Sequence, residues 1–216
     1  MDSAFLERLL YEDESATLDF KREQYKFAKA SEEEKSELIK DILGFANGWR
    51  RSDAYILIGV EEAIGCRSNV VGINDHLADH SLQQFVNNLT NKPVQFGYAT
   101  VPIEGLQIGV IRVELQDRPI YLKKDFGKLK KGDVYVRRGS STDPTKPATP
   151  DEIAQMGKAA NALHDQAELS IEFAETKQAK PLGNLINWSA EYCEMPKRLS
   201  NNCYLSRWVE RLPSLA

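Results

Sequence analysis

The chain is poor in the residues that make covalent staples, metal cages and membrane spans. Among 216 residues there are three cysteines (Cys66, Cys193, Cys203) and three histidines (His76, His80, His164). Three cysteines cannot all pair, and these form no metal-ligand cluster, so they read as reduced thiols of a cytoplasmic protein. Three histidines are too few for a histidine-rich metal site. No apolar run approaches the roughly 20 residues that cross a bilayer. Met1-Asp2-Ser3 opens without the basic and apolar regions of a secretory signal. No membrane partner is expected. The pattern Gly-x-x-x-x-Gly-Lys-Ser/Thr occurs nowhere, so nothing supports P-loop nucleotide binding.

What remains describes an ordinary globular chain. Hydrophobic residues make up 42% and charged residues 28%, which argues against disorder as the dominant state. The length suits one main domain with a small appendage. Motifs thin out late in the chain, so the expected division is 1–160 and 161–216. A net charge of −4 excludes a uniformly basic nucleic-acid binder. The signs are unevenly spread, however. Residues 118–146 hold nine Lys or Arg against three acids, whereas residues 1–37 hold eleven acids against six bases. A chain so divided either binds a polyanion through one face or keeps both stretches as solvated surface.

Periodicity places the elements. Residues 4–12 suit a short amphipathic helix with Phe5, Leu6, Leu9 and Leu10 inward. Thr17–Lys21 alternates as a half-buried strand, with Leu18 and Phe20 inward and Asp19 and Lys21 on the polar face. Ser31 with Glu34 forms a capping box opening a helix to about Trp49, and Asn47-Gly48 supplies its stop. Ala54–Val60 is apolar without alternation, as in a strand covered on both faces, with a polar hairpin partner near Asn69–Ile73. A helix is predicted at 76–91, and strands at Val94–Val101 and Leu106–Leu115. Two further strands, Pro119–Lys123 and Asp133–Arg138, flank a basic loop. Thr149-Pro150-Asp151-Glu152 opens a last helix, and Glu168–Phe173 suits a strand. The class is α+β, about six strands with helices inserted.

Two constellations carry chemistry. Glu14, Asp19 and Glu61 or Glu62 stand at strand ends and edges. If those strands are neighbours, two or three carboxylates converge with Lys21. Crowded carboxylates repel unless a proton or cation neutralises them, and Mg²⁺ or Mn²⁺ prefers such oxygen ligands. An acid-x-Lys pair on one strand face then suits metal-assisted phosphodiester cleavage; a plain surface ion pair is the alternative. The second constellation is Val134–Thr142, where a strand ends in Arg137 and Arg138, then a glycine and hydroxyls including Ser140. Arginine forks suit phosphate oxygens, and Lys123, Lys124, Lys128, Lys130 and Lys131 upstream extend the positive surface. Arg50 and Arg51 either satisfy a helix C-terminus or add to that surface. Tyr98 and Tyr121 either pack or stack on bases.

These residues carry a resemblance. Glu14-Ser15-Ala16-Thr17-Leu18-Asp19-Phe20-Lys21 resembles the E-S-x-x-x-E-F-K opening of the Schlafen-type AlbA domain. Leu38–Asn47 is similar to its helix and Ala54–Glu62 to its G-Y-x-x-x-G-V-x-D strand. Tyr135–Thr142 followed by Pro150-Asp151-Glu152-Ile153 resembles its closing signature. The four motifs stand in the family's order over about residues 10–157. The resemblance implies one main α+β domain with a mixed, mainly antiparallel sheet, flanking helices and binding of RNA or DNA. Some Schlafen members are metal-dependent endoribonucleases that cut structured RNA such as tRNA with three acids. By position these are Glu14, Asp19 and Glu62, with Mg²⁺ or Mn²⁺ as cofactor and Lys21 beside them. Asp19 stands where the family usually has Glu, and Glu62 where it often has Asp. The family's Asn-Thr-x-Gly-Gly is replaced by Asn47-Gly48-Trp49-Arg50-Arg51-Ser52-Asp53. Nuclease Schlafens pair two lobes into a cleft, so a single lobe implies a homodimer. The rival expectation is a non-catalytic regulatory or sensor module for DNA, a nucleotide or a partner protein.

Overall fold

A computed structural model describes residues 3–159 of the chain. In chain order the elements are α1 (Ser3–Leu9), β1 (Leu18–Lys21), α2 (Glu32–Asn47), β2 (Ala54–Ile58), β3 (Val60–Glu61), β4 (Asn69–Val70), α3 (Asp79–Leu89), β5 (Phe96–Ile103) and β6 (Leu106–Val113). A helix α4 occupies 150–159. Four strands form one sheet in the order β1-β2-β6-β5, with β1 parallel to β2 and the other pairs antiparallel; β3 and β4 make a separate antiparallel pair. The fold is therefore α+β with a mixed, mainly antiparallel sheet. The expected strand 168–173 and the segment 161–216 lie outside the described residues. No helix among the described residues is long and apolar enough to cross a membrane.

The sheet is covered on both faces, which explains the unbroken apolar run of β2. Ile56 and Ile58 face a core with Leu38, Ile39, Ile42 and Phe45 of α2 and Leu82 and Val86 of α3. Leu57 faces the other way, among Leu6, Leu9 and Leu10 near α1, Leu18 and Phe20 of β1, and Val110 of β6. Burying each such side chain stabilises the fold by about 1.5–3 kcal/mol. The capping box forms as expected: the Ser31 side chain accepts from the Glu34 N–H, and the Glu34 carboxylate accepts from the Ser31 N–H at 3.0 Å. Glu34 is held down to about 2, because its carboxylate accepts from the Ser31 backbone and from Lys26. The β5–β6 turn falls at Glu104-Gly105, both at positive φ (53° and 78°), with Pro102 inside β5.

Two expected strands are not strands. Residues 119–123 and 133–138 make only isolated bridges, such as Thr90 with Leu122. Their backbone groups are satisfied by the end of α2, by the end of α3 and the turn after it, and by nearby loops: the Lys123 N–H donates to the Leu89 carbonyl at 2.8 Å, and the Tyr121 carbonyl accepts from the Asn91 N–H at 3.0 Å. The Ile120 N–H donates to Asn47 Oδ1 at 2.8 Å, and Asn47 Nδ2 donates to the Ile120 and Tyr135 carbonyls at 2.8 and 3.0 Å. The Arg137 N–H donates to the Gly44 carbonyl at 2.9 Å. Asn47 thus closes the end of α2 as a fully buried amide joining two chain segments, rather than as a left-handed stop. Gly48 follows at φ −59°.

Candidate functional site

Asp19 and Lys21 share the face of β1 that looks toward α2, since Asp19 pairs with Ile56 and Lys21 with Ile58. That face is not open to solvent. Asp19 is 3% exposed because Arg137 covers it, with Nη2 donating to Asp19 Oδ1 at 2.9 Å. Arg137 itself is 3% exposed. It also donates to the Ser15 and Leu18 carbonyls at 2.7 and 3.1 Å, and its guanidinium lies 4.5 Å from the Phe45 ring centroid. The second oxygen of Asp19 is paired with the Lys21 ammonium.

An alternating line of charges leads outward from this pair. Lys21 reaches Asp41 at 3.7 Å, Asp41 reaches Lys40 at 3.6 Å, Lys40 reaches Glu37 at 2.6 Å, and Glu37 reaches Lys128 at 3.2 Å. Tyr25 donates its hydroxyl to Asp41 at 2.7 Å. Burial pushes Asp41 above the usual carboxylate range. Burial works to lower Lys21, but the charges of Asp41 and Asp19 outweigh it and leave Lys21 above its ordinary value. The line joins the inner carboxylate to the basic loop.

Glu14 and Glu62 meet at the edge of β1. The Glu14 N–H donates to Glu62 Oε1 at 3.0 Å, and Glu14 Oε1 accepts from the Phe20 N–H at 3.0 Å. Glu14 is raised above its ordinary value, first by burial, then by the nearby charges of Asp19 and Glu62. The sequence-derived acids therefore lie within electrostatic reach of one another. As arranged, however, they do not form a metal cage. Both oxygens of Asp19 face cations, which supply the positive charge an ion would bring. Among the described residues no group of three or more His, Cys, Asp or Glu is placed to hold a metal.

The cationic residues divide into two sets. Lys123, Lys124, Lys128, Lys130 and Lys131 are all exposed. Lys128 pairs with Glu37 and Lys130 with Asp125, while Lys123, Lys124 and Lys131 have no carboxylate within 4.0 Å among the described residues. Arg138 is exposed but forked onto Glu152 of α4 at 2.7 and 3.0 Å. Arg137 belongs to the interior and is not part of the surface proposed from its sequence position. Ser140 is exposed at the turn after Arg138. Thr142 is buried over Gly44, where a Cβ would stand 2.2 Å from the threonine hydroxyl. Tyr98 is only 8% exposed and bonds Gln24 and His76 through its hydroxyl, so it offers no stacking face.

Sequence reading missed Asp41, Lys40 and Glu37 as members of the charged line. Their i, i+3 and i, i+4 spacing on α2 marks one helix face, and a buried Asp amid apolar neighbours was the available signal.

The Schlafen, AlbA_2 family matches residues 14–146, the span that contains β1, α2, the sheet and the basic loop. The chain belongs to this family. A solved structure of the DIP2311 protein from Corynebacterium diphtheriae is similar at 17% identity and TM-score 0.40, covering 60% of this chain and 22% of that one. The chain thus spans about a fifth of that protein's length. The N-terminal domain of a RecG-related protein from Nitrosomonas europaea is similar at 23% identity and TM-score 0.42, covering 69% of this chain and 97% of that domain. No curated protein matches the chain.

Proposed function

We propose that this domain binds RNA or DNA through the exposed loop 123–131, with exposed Arg138 and Ser140 as further contacts. Membership of the Schlafen and AlbA family supports a nucleic-acid-related role. The observation that carries the surface is the loop itself: five exposed lysines against one aspartate, with three ammonium groups lacking a carboxylate partner among the described residues. Such groups release counterions when they meet phosphates, so affinity falls steeply with salt. Filter binding across a salt series is the test. Lys123→Ala with Lys124→Ala lowers the slope of log affinity against log salt by about two on a duplex. An unchanged slope rejects the loop as the contact surface.

A narrower reading is Mg²⁺- or Mn²⁺-dependent RNA cleavage by Glu14, Asp19 and Glu62. The crowding of Glu14 by the other two acids favours it, and the commitment of Asp19 to Arg137 and Lys21 opposes it. Incubation with tRNA and Mn²⁺ decides. Cleavage lost in Glu14→Gln, Asp19→Asn and Glu62→Gln, with binding retained, supports it; RNA left intact by the unaltered chain dismisses it. Pairing of two copies around one strand is a further part of this proposal, read by light scattering with and without RNA.

A further inference from the structure

Two large aromatic side chains stand on the surface beside cations that have no carboxylate partner among the described residues, and the carboxylate cluster uses neither ring. Trp49 is 43% exposed and Tyr121 37% exposed. They flank the same junction. Trp49 follows the end of α2 two residues after Asn47, and Tyr121 follows Ile120, the residue whose backbone Asn47 clamps on both its N–H and its carbonyl. Arg118 closes the arrangement: its guanidinium lies 4.0 Å from the Trp49 ring centroid.

The segment from 118 onward alternates. Ile120 and Leu122 are fully buried, while Tyr121 and Lys123 are exposed. Ring and ammonium therefore project to one side, and the basic loop begins at once with Lys124. Arg118 spends one nitrogen on the Asn47 and Gly48 carbonyls at 3.2 and 2.6 Å, and among the described residues no carboxylate lies within 4.0 Å of it. Arg51 is exposed and likewise has no carboxylate partner among the described residues. Arg50 bonds the carbonyls of Phe45 and Glu114 at 2.9 and 2.7 Å. It lies below its ordinary value, chiefly through burial, with the Asp53 charge working against the shift and the Arg118 charge adding to it. The acids of the neighbourhood are otherwise engaged or peripheral: Asp53 is forked by Arg112 at 2.6 and 2.8 Å, Glu114 faces Arg112 at 3.7 Å, and Asp117 is exposed.

We propose that Trp49, Arg118, Tyr121 and Lys123 form a track for single-stranded nucleic acid, with bases stacked on the two rings and phosphates held by the intervening cations. Duplex bases are already stacked on one another and cannot cover such rings, whereas unpaired bases of any identity can. The track rests on the nucleic-acid reading above and adds to it the strandedness of the ligand.

The test is fluorescence anisotropy at low salt, with the full chain, a labelled oligouridine and a labelled duplex RNA of equal length. Trp49→Ala and Tyr121→Ala each weaken oligouridine binding about tenfold, within the range measured for losing one base stack. Duplex affinity stays within about twofold. Trp49→Phe and Tyr121→Phe keep most of the single-strand affinity, because the ring survives. Alanine variants that bind oligouridine like the unaltered chain, or that lose both forms equally, overturn the track. In that event salt-dependent binding by the unaltered chain leaves the lysine-loop reading standing. An unaltered chain that retains neither RNA form overturns both.

Discussion

Arg137 and Arg138 are sequence neighbours with opposite fates. Arg137 is sealed between Asp19 and the Phe45 ring, while Arg138 grips Glu152 at the surface. Removing one partner of a buried pair strands the other charge away from water, which costs several kcal/mol, whereas an exposed pair contributes about 0–1 kcal/mol. Arg137→Ala therefore lowers unfolding stability in urea by about 3 kcal/mol, and Arg138→Ala by less than about 1 kcal/mol. Glu14 gives a pH signature. Its folded value lies above the ordinary range through burial and through Asp19 and Glu62. A raised carboxylate favours the folded state below its unfolded value, and that contribution is lost as pH rises through the folded value. Glu14→Gln keeps an acceptor for the Phe20 N–H and removes the charge. The variant gains stability at neutral pH, by no more than about 1 kcal/mol given the partial exposure, and the gain vanishes in acid. Chemical denaturation at several pH values reads this.

At the scale of elements, much was legible in the sequence. The Ser31 and Glu34 box, the doubly covered β2 and the β5–β6 pair follow from local rules of capping and periodicity. The segments around 120 and 135 do not, because their hydrogen bonds go to the ends of α2 and α3 and to nearby loops rather than to a neighbouring strand. A run with period two shows which side chains are inside; it does not say what satisfies the backbone. The same limit hid the burial of Asp19. Its face of β1 is polar by sequence, yet Arg137, 118 residues away, covers it. The carboxylates and Lys21 were legible as a cluster, while Arg137, which neutralises Asp19 together with Lys21, was assigned to the surface. Asn47 supplies the element-scale prediction. Asn47→Ala leaves the Ile120 N–H and two buried carbonyls without their partner. At about 1–3 kcal/mol for each unsatisfied group, the loss is about 3 kcal/mol or more, measurable as a lower urea midpoint.

For the whole molecule, both sheet edges are guarded. At the β5 edge the Tyr98 N–H donates to Asp79 Oδ1 at 2.7 Å, the Gln83 side chain covers the Phe96 carbonyl, and Pro102 has no N–H to offer. At the β1 edge the Glu14 carboxylate takes the Phe20 N–H, and Ser15 and Arg137 take the Leu18 carbonyl. Open edges invite pairing between chains, so these two edges of the four-stranded sheet are poor sites for joining copies into a continued sheet. Among the described residues, cations and exposed aromatic rings come together on loop 123–131 and around Trp49 and Tyr121.

Asn47 and Gly48 also form the dipeptide most prone to cyclise to an imide and shed side-chain ammonia. That reaction needs the Gly48 nitrogen to swing onto the Asn47 side chain. Here the nitrogen is tethered to the Phe45 carbonyl at 3.1 Å, and the side-chain amide is tied on both its oxygen and its nitrogen. The native state suppresses its own ageing at this spot. Isoaspartate accumulating there thus works as a chemical clock, counting the time each molecule has spent with the end of α2 undone.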